Sequence, residues 1–207
     1  MVEAAGVAVF ALTGALVAAR KGMDPFGFIL LATTTGTGGG TLRDLALGKP
    51  VGWVENPFTV VICGSVALLA WLIAYTHPGR LDGWSARRVL LWADAAGLAL
   101  FAVSGTQKAL DAGVPMLSAI VLGAVTASFG GILRDILAGD RAMVLWSRDF
   151  YVTAAAAGAT ATAVLTHFGF GPIAVTTGGL AAGFGLRAGS MLLRWSFPSL
   201  PDADDSQ

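Results

Sequence analysis

The sequence Gly-Gly-Thr-Leu-Arg-Asp at residues 39–44 recurs as Gly-Gly-Ile-Leu-Arg-Asp at residues 130–135, 91 positions later. Both copies lie inside long apolar stretches. A charged group at the centre of a membrane helix costs at least ~2.5–3.5 kcal/mol, so such residues usually have a function or a partner. The two motifs therefore predict a membrane protein with a duplicated, interrupted helix, a device typical of paths for ions or small solutes.

The composition agrees with this prediction. The chain has 207 residues, of which 55% are hydrophobic and 13% charged, and its mean hydropathy is +0.72. Soluble domains carry about 25% charged residues. The formal net charge of zero gives no sign of a nucleic-acid partner. Nucleotide-binding loops, nucleophile elbows and Cys/His metal motifs are absent from the sequence, so we expect neither an enzyme nor a bound cofactor.

Seven stretches approach the length of about 20 residues that a membrane-spanning helix needs. They are residues 3–19, 26–47, 58–75, 89–107, 116–137, 150–168 and 173–195. We therefore predict an all-α membrane protein with seven transmembrane helices. The polar tail, residues 197–207, is predicted to be disordered.

The duplication extends well beyond the hexapeptide. Residues 1–48 align with residues 92–139 without a gap, and 18 of the 48 columns are identical. Each repeat contains three predicted helices, and an odd number makes the second copy enter from the opposite face of the membrane. We predict two inverted repeats, residues 1–75 and 89–168, with the seventh helix outside them.

Lys and Arg residues are unevenly distributed between the predicted loops. Two lie on the side of the N-terminus and eight on the other side. Cytoplasmic loops carry the excess of positive charge. We expect a multi-pass protein of the inner (plasma) membrane, with its N-terminus outside and its C-terminus in the cytoplasm.

Glycines and hydroxyl side chains cluster in the second and fifth predicted helices. A broken helix exposes backbone carbonyls at membrane depth. Carbonyl and hydroxyl oxygens together replace part of the hydration shell of a monovalent cation. The alternative is that the glycines only permit close helix packing, but their occurrence in both repeats favours a pathway between the repeats. The candidate pore-lining residues are Gly36, Gly38, Gly39, Gly40, Gly130, Gly131, Thr35, Thr37, Thr126 and Ser128.

The charges inside the predicted helices need partners. Adjacent residues point to different sides of a helix, so we expect Arg43 to pair with Glu3 rather than with Asp44. The repeat predicts an equivalent pair, and it leaves both motif aspartates at a pore mouth, where they concentrate cations. The alternative is that all these groups snorkel to the membrane interface, which is the interpretation we favour for the arginine of the seventh helix. The candidate charged residues are Glu3, Arg43, Asp44, Asp94, Arg134, Asp135 and Arg187.

With its duplicated motif, inverted three-helix repeat and seventh helix, the chain resembles the prokaryotic trimeric intracellular cation (TRIC) channel family, up to about residue 195. The resemblance implies a potassium-permeable homotrimer with an hourglass pore in each protomer, lined by the second and fifth helices. It also implies that these helices kink at Gly38, Gly39 and Gly40 and at Gly130 and Gly131. Phe129 stands where the first repeat has Gly38, so the two halves of the pore need not be equally open.

The same duplicated domain also resembles one linked to glycine uptake in bacteria. A secondary transporter of a small amino acid such as glycine is therefore the alternative function, since inverted repeats with broken helices also occur in transporters. A scaffolding role is disfavoured because it gives no reason for the paired breaks and buried charges. The expected partners are the lipid bilayer and transported K⁺ or Na⁺, and a bound lipid is left open.

Overall fold

The computed structural model describes residues 2–81, 83–146, 150–193 and 195, so the tail predicted to be disordered lies outside the described residues. The described part contains nine helices, and seven of them have 17 or more residues. In chain order they are α1 (Val2–Arg20), α2 (Pro25–Ala46), α3 (Gly52–Glu55), α4 (Phe58–Thr76), α5 (Trp84–Asp111), α6 (Met116–Leu137), α7 (Met143–Trp146), α8 (Tyr151–His167) and α9 (Pro172–Leu193).

The first four helices recur as the next four at the offset seen in the sequence. Helices α2 and α6, and the short α3 and α7, begin and end at equivalent residues. The turns after the helices also match: Gly22 and Gly113 have φ of 62° and 77°, and Gly48 and Gly139 have φ of 62° and 70°. Glycine is favoured there because a left-handed residue closes a helix without a Cβ penalty. The sequence does not predict α3 and α7, which are too short to show an apolar period.

Helix α5 starts five residues before the predicted beginning of its apolar stretch. Its first two turns contain Arg87 and Arg88, which a search for apolar residues excludes. The guanidinium carbon of Arg88 lies 3.5 Å from the centre of the Trp84 ring, one turn earlier. This cation–π contact supports a helical turn that extends beyond the apolar span.

Four of the described helices, α1, α4, α5 and α6, are long and apolar enough to cross a membrane. The chain is thus an all-helical membrane protein. Helix α2 carries Arg43 and Asp44 among many glycines and threonines, and α8 has only 17 residues. The count of seven transmembrane helices stays a prediction.

Helix α9 packs on α8 and α5 through small residues. A Cβ on Gly183 would lie 3.4 Å from the carbonyl oxygen of Ala154 in α8, and a Cβ on Gly179 would overlap the Thr162 hydroxyl. Small residues allow such close approach of helices in a membrane. The contacts of these glycines therefore hold the last helix within the protomer.

Candidate functional site

The glycines of the two motifs form the crossing between α2 and α6. A Cβ on Gly39 would overlap the carbonyl oxygen of Thr126, and a Cβ on Gly130 would overlap that of Thr35. These four residues are two equivalent pairs, so the contact is reciprocal. A Cβ on Gly38 would lie 2.5 Å from Cδ1 of Leu133 in α6. At this crossing the glycines permit close helix packing, which was the alternative to a pathway in the sequence.

Both motif helices are continuous through their glycines, so the predicted helix breaks are wrong. The hydroxyls of Thr35 and Thr37 donate to the carbonyls four residues earlier, at 2.6 and 2.7 Å, and those of Thr126 and Ser128 do the same at 2.6 and 2.9 Å. Backbone carbonyls that accept bonds within a helix do not become a ring of free ion ligands. The glycine-rich segments remain helical because the facing helix packs closely against them.

The first charge cluster consists of Glu3, Arg43, Asp44 and Lys108. Nη2 of Arg43 donates to Glu3 Oε1 at 2.7 Å, which confirms the predicted ion pair. Nε and Nη2 of Arg43 also donate to Asp44 Oδ1, at 2.9 and 2.7 Å. Lys108 Nζ lies 2.7 Å from Glu3 Oε2. Two acidic and two basic groups thus form one connected cluster at the ends of α1, α2 and α5.

The second charge cluster consists of Asp94, Arg134 and Asp135. Nη1 of Arg134 donates to Asp94 Oδ1 at 2.9 Å, which confirms the second predicted pair. Nε and Nη2 of Arg134 lie 2.9 and 2.8 Å from Asp135 Oδ1. Arg43 and Arg134 are fully buried, at 0% and 1% exposed, so neither snorkels.

One expectation about the motif aspartates is wrong, and their place at a pore mouth stays a prediction. The arginine does reach its neighbour in the chain, because its long side chain curls back along the helix to the shorter carboxylate. The second oxygen is also used: Asp44 Oδ2 accepts from the backbone N–H of Gly52 at 3.0 Å, and Asp135 Oδ2 from that of Met143 at 2.8 Å. Each aspartate therefore ties a short helix to a long one.

Lys108 is the member of the first charge cluster that was not predicted from the sequence. It lies in the last turn of α5, and its side chain is 42% exposed. The equivalent residue of the first repeat is Val17. The difference is visible only in an alignment of the repeats, because a lysine near a helix end otherwise suggests an interfacial position.

A cavity of about 320 Å³ lies beside the first charge cluster. It brings together five predicted site residues, Glu3, Gly36, Thr37, Gly40 and Asp44, whereas the glycines of the crossing lie outside it. The absence of side chains on one face of α2 creates this space, and Cys63 of α4 packs behind it, 3.0 Å from where a Cβ on Gly36 would lie. The other lining residues include Thr41, Gly52, Trp53, Asn56, Phe58, Thr59, Ile62, Phe101 and Lys108.

A smaller cavity, of about 190 Å³, lies beside the second charge cluster. Its lining includes Arg134, Asp135 and Met143, which are equivalent to residues of the first site, together with Arg87 and Asp140. Gly131 and Ser128 are not among its lining residues. The two cavities therefore reach different depths at equivalent places.

Arg187 does not snorkel, contrary to our expectation for the last long helix. It is 1% exposed, and its guanidinium carbon lies 4.9 Å from the centre of the Tyr151 ring. That ring is itself buried beside the second motif: its hydroxyl would lie 3.2 Å from a Cβ on Gly131. A guanidinium over an aromatic face is attracted by the ring quadrupole. The contact joins α9 to the second charge cluster.

Comparisons with known proteins agree with this duplicated architecture. The family described as glycine transporter matches residues 1–75 and 91–167. The crystal structure of the TRIC trimeric intracellular cation channel orthologue from Rhodobacter sphaeroides superposes with a TM-score of 0.87 at 45% identity, covering 94% of this chain and 97% of that one. The chain belongs to the TRIC channel family.

Other TRIC relatives are membrane proteins of bacteria. A UPF0126 membrane protein of Vibrio cholerae is 38% identical over 203 residues, which cover 97% of this chain and 81% of the relative. The UPF0126 inner membrane protein YadS of Escherichia coli K12 is 41% identical over 150 residues, which cover 72% of this chain and 70% of YadS. The resemblance drawn from the duplicated motif is confirmed.

Proposed function

We propose that the protein is a channel for monovalent cations, permeable to K⁺, with one pathway in each protomer. The pathway enters at the cavity beside the first charge cluster, passes the crossing of α2 and α6 and leaves beside the second charge cluster. The observation that carries the proposal is the cavity of about 320 Å³, which opens the face of α2 formed by Gly36, Thr37 and Gly40. The likeness to the TRIC cation channel of Rhodobacter sphaeroides supports it.

The lining of this cavity has the chemistry that a weakly bound cation needs. The Thr37 hydroxyl donates to the backbone carbonyl of Thr33 at 2.7 Å. The Thr41 hydroxyl donates to the backbone carbonyl of Thr37 at 2.9 Å. A hydroxyl that donates within its own helix still has lone pairs to offer. Neutral oxygens of this kind replace water around a monovalent ion and release it again, as conduction requires.

The first charge cluster complements these hydroxyls. Its two carboxylates and two cations balance, and Arg43 is held by both Glu3 and Asp44. Because its charges balance, the cluster has no strong net charge that would bind a passing cation tightly. The Glu3 side chain is a third exposed, and each of its oxygens is paired with a basic group, Oε1 with Arg43 and Oε2 with Lys108.

The assembly and orientation belong to the same proposal. We place two inverted repeats, residues 1–75 and 89–168, in the inner membrane as part of a homotrimer, with the N-terminus outside. Exposed apolar side chains on α4, including Leu68, Leu69 and Leu72, give that helix a face suited to lipid or to a neighbouring protomer. Crosslinking in native membranes that yields dimers but no trimers would contradict the homotrimer.

Single-channel recording in planar bilayers with KCl tests the pathway. Wild-type protein should give discrete unitary currents. Gly40→Leu should reduce them strongly, because a leucine there projects into the cavity from a Cβ whose nearest neighbours lie 3.6 and 3.8 Å away. Gly64→Leu on α4 is the matched control, since a Cβ there meets nothing within 4 Å. Equal currents from Gly40→Leu and wild type would exclude the cavity from the pathway.

A carrier for glycine is the second candidate, and the description of the matching family favours it. The cavity is large enough for such a small zwitterion, and carboxylate and guanidinium groups are the partners its two ends require. These groups are already bonded to one another, which favours the channel. Silent bilayers together with saturable uptake of labelled glycine into proteoliposomes would establish the carrier instead.

A further inference from the structure

The two motif sites match closely around the second glycine of the motif, where the second site has one additional neighbour. At Gly40, the neighbours that a Cβ would meet are Arg43 Nη2 at 3.6 Å and Glu3 Oε1 at 3.8 Å. At the equivalent Gly131 they are Asp94 Oδ1 at 3.6 Å and Arg134 Nη2 at 3.8 Å, with the same acid and base exchanged in order. Gly131 has an additional neighbour, the Tyr151 hydroxyl at 3.2 Å. Around this glycine the second site therefore has a phenol ring that the first site lacks. Elsewhere the sites also differ, at Val17 and Lys108, at Gly36 and Ala127, and at Gly38 and Phe129.

This ring comes from the third long helix of the second repeat. Tyr151 is the first residue of α8 and is 2% exposed. At the offset of the repeat, its counterpart in α4 is Val60, a much shorter side chain. The two repeats thus allow a site with an aromatic residue at this position to be compared with a site that lacks one.

The cavities also differ in how far they extend along the motif helix. The cavity beside the first charge cluster extends along α2 past Gly40 to Thr37 and Gly36. The one beside the second cluster is lined by Arg134 and Asp135, and neither Gly131 nor Ser128 is part of its lining. The hydroxyl end of Tyr151 stands where the deeper part of the first cavity has open space.

A residue outside the repeat supports the ring. The Arg187 guanidinium carbon lies 4.9 Å from the ring centre, and the arginine is 1% exposed. Helix α9, which carries Arg187, follows the second repeat and has no counterpart after the first. Tyr151 and the helix that supports it therefore both lie in the C-terminal half of the protein.

We propose that Tyr151 closes the second half of the cation pathway, that Arg187 holds it in this position, and that movement of the ring away from Gly131 connects the two cavities. This inference rests on the proposed channel function. At this position one side chain suffices for closure, because the acid and base around Gly131 lie at the same distances as those around Gly40. Tyr151 acts on the ion path directly, whereas Arg187 is a positioning residue that acts through the ring.

Cysteine labelling tests the closure without any need for ion flux. Cys63→Ala removes the single cysteine of the sequence. Thr37→Cys and Ser128→Cys are then introduced separately, at equivalent positions whose exposure is 9% and 5%. The protein is placed in nanodiscs, where both faces are accessible, and treated with a small methanethiosulfonate reagent. Detergent size-exclusion profiles check that each variant folds.

Cysteine at position 37 should react readily, and cysteine at position 128 at least about tenfold more slowly, as expected where an open state is populated at ~10% or less. Adding Tyr151→Val, the residue of the first repeat, should bring the two rates together, whereas Tyr151→Phe should keep the protection. Equal rates with Tyr151 in place, or continued protection in a folded Tyr151→Val variant, would overturn the proposal. If Tyr151→Val does not fold, the comparison of positions 37 and 128 in the otherwise native chain decides.

Bilayer recording separates this inference from the function on which it rests. Tyr151→Val should raise the K⁺ current per reconstituted protein about tenfold, the same population change that the labelling detects. Arg187→Gln should raise it in the same direction, while Tyr151→Phe leaves it near the wild-type value. Wild-type currents that Tyr151→Val leaves unchanged would refute the role of Tyr151 alone. An absence of K⁺ current in every variant, with labelling as expected, would refute the channel while retaining the tyrosine closure.

Discussion

Phe10 and Phe101 occupy equivalent positions in the two repeats, and their rings stack on each other with centroids 5.2 Å apart and an interplanar angle of 29°. Both are 1% exposed. A residue that contacts its own counterpart marks the pseudo-twofold axis that relates the repeats. Phe101 also lines the cavity beside the first charge cluster. This side chain is therefore part of both the core and one wall of the proposed pathway.

The crossing of α2 and α6 next to this axis should tolerate no Cβ at Gly39. Gly39→Ala would place a methyl group on the Thr126 carbonyl oxygen, which the backbone can avoid only by moving a helix. Overpacking of this kind costs typically about 1–3 kcal/mol. Thermal unfolding in detergent, followed by fluorescence-detected size-exclusion chromatography, should show a lowered melting temperature.

Gly64→Ala is the control for this measurement, since a Cβ there meets nothing within 4 Å. Replacing glycine by alanine inside a helix is otherwise favourable by roughly 0.5–1 kcal/mol. A Gly39→Ala protein as stable as Gly64→Ala would contradict the close contact.

The two acidic partners of the motif arginines should differ in their importance for stability. Asp94 is 1% exposed, whereas the Glu3 side chain is 33% exposed. Removing one partner of a buried ion pair costs about 3–5 kcal/mol. Solvent that reaches a partly exposed partner lowers this cost. In the same unfolding assay, Asp94→Asn should therefore lower the melting temperature more than Glu3→Gln. The reverse order would mean that burial does not control the strength of these pairs.

Lys108 should reduce cation entry at low ionic strength. Its ammonium group stands in the lining of the first cavity, and Lys108→Gln removes a positive charge and releases Glu3 from one partner. The Debye length is about 30 Å at 0.01 M salt and about 3 Å at 1 M, so the effect should be confined to dilute solution. The ratio of mutant to wild-type K⁺ conductance should exceed one in dilute KCl and approach one in concentrated KCl. Lys49→Gln, on the loop after α2, is the control, and an equal rise there would assign the effect to general surface charge.

The ion pairs of Asp140 should contribute little to stability. Asp140 lies 3.6 Å from Arg20 and 2.5 Å from Lys21, and all three side chains are 31–37% exposed. Solvent screening limits such pairs to about 0–1 kcal/mol. Asp140→Asn should therefore melt within a few degrees of wild type, and any difference should vanish in high salt. A loss as large as that of Asp94→Asn would show that this loop is part of the core.

Much of the fold could be predicted because the repeat is present in the sequence as an ungapped alignment. The apolar lengths placed seven helices within a few residues, apart from the polar first turn of α5. The ion pairs of Arg43 with Glu3 and of Arg134 with Asp94 also followed, because a buried charge at equal depth on a neighbouring helix needs a partner.

The sequence by itself thus determined the membrane class, the repeat and the long-range ion pairs, since these depend on composition, spacing and the cost of an unpaired charge. Only the tertiary structure decided what the glycines and aspartates do. Whether Gly39 breaks a helix or receives another one depends on the backbone of Thr126, which is 87 residues away in the chain. The partner of Asp44 depends on where a short helix lies, and the neighbours of Gly131 depend on Tyr151 from a third helix. Those contacts are set by packing between helices, which no local pattern encodes.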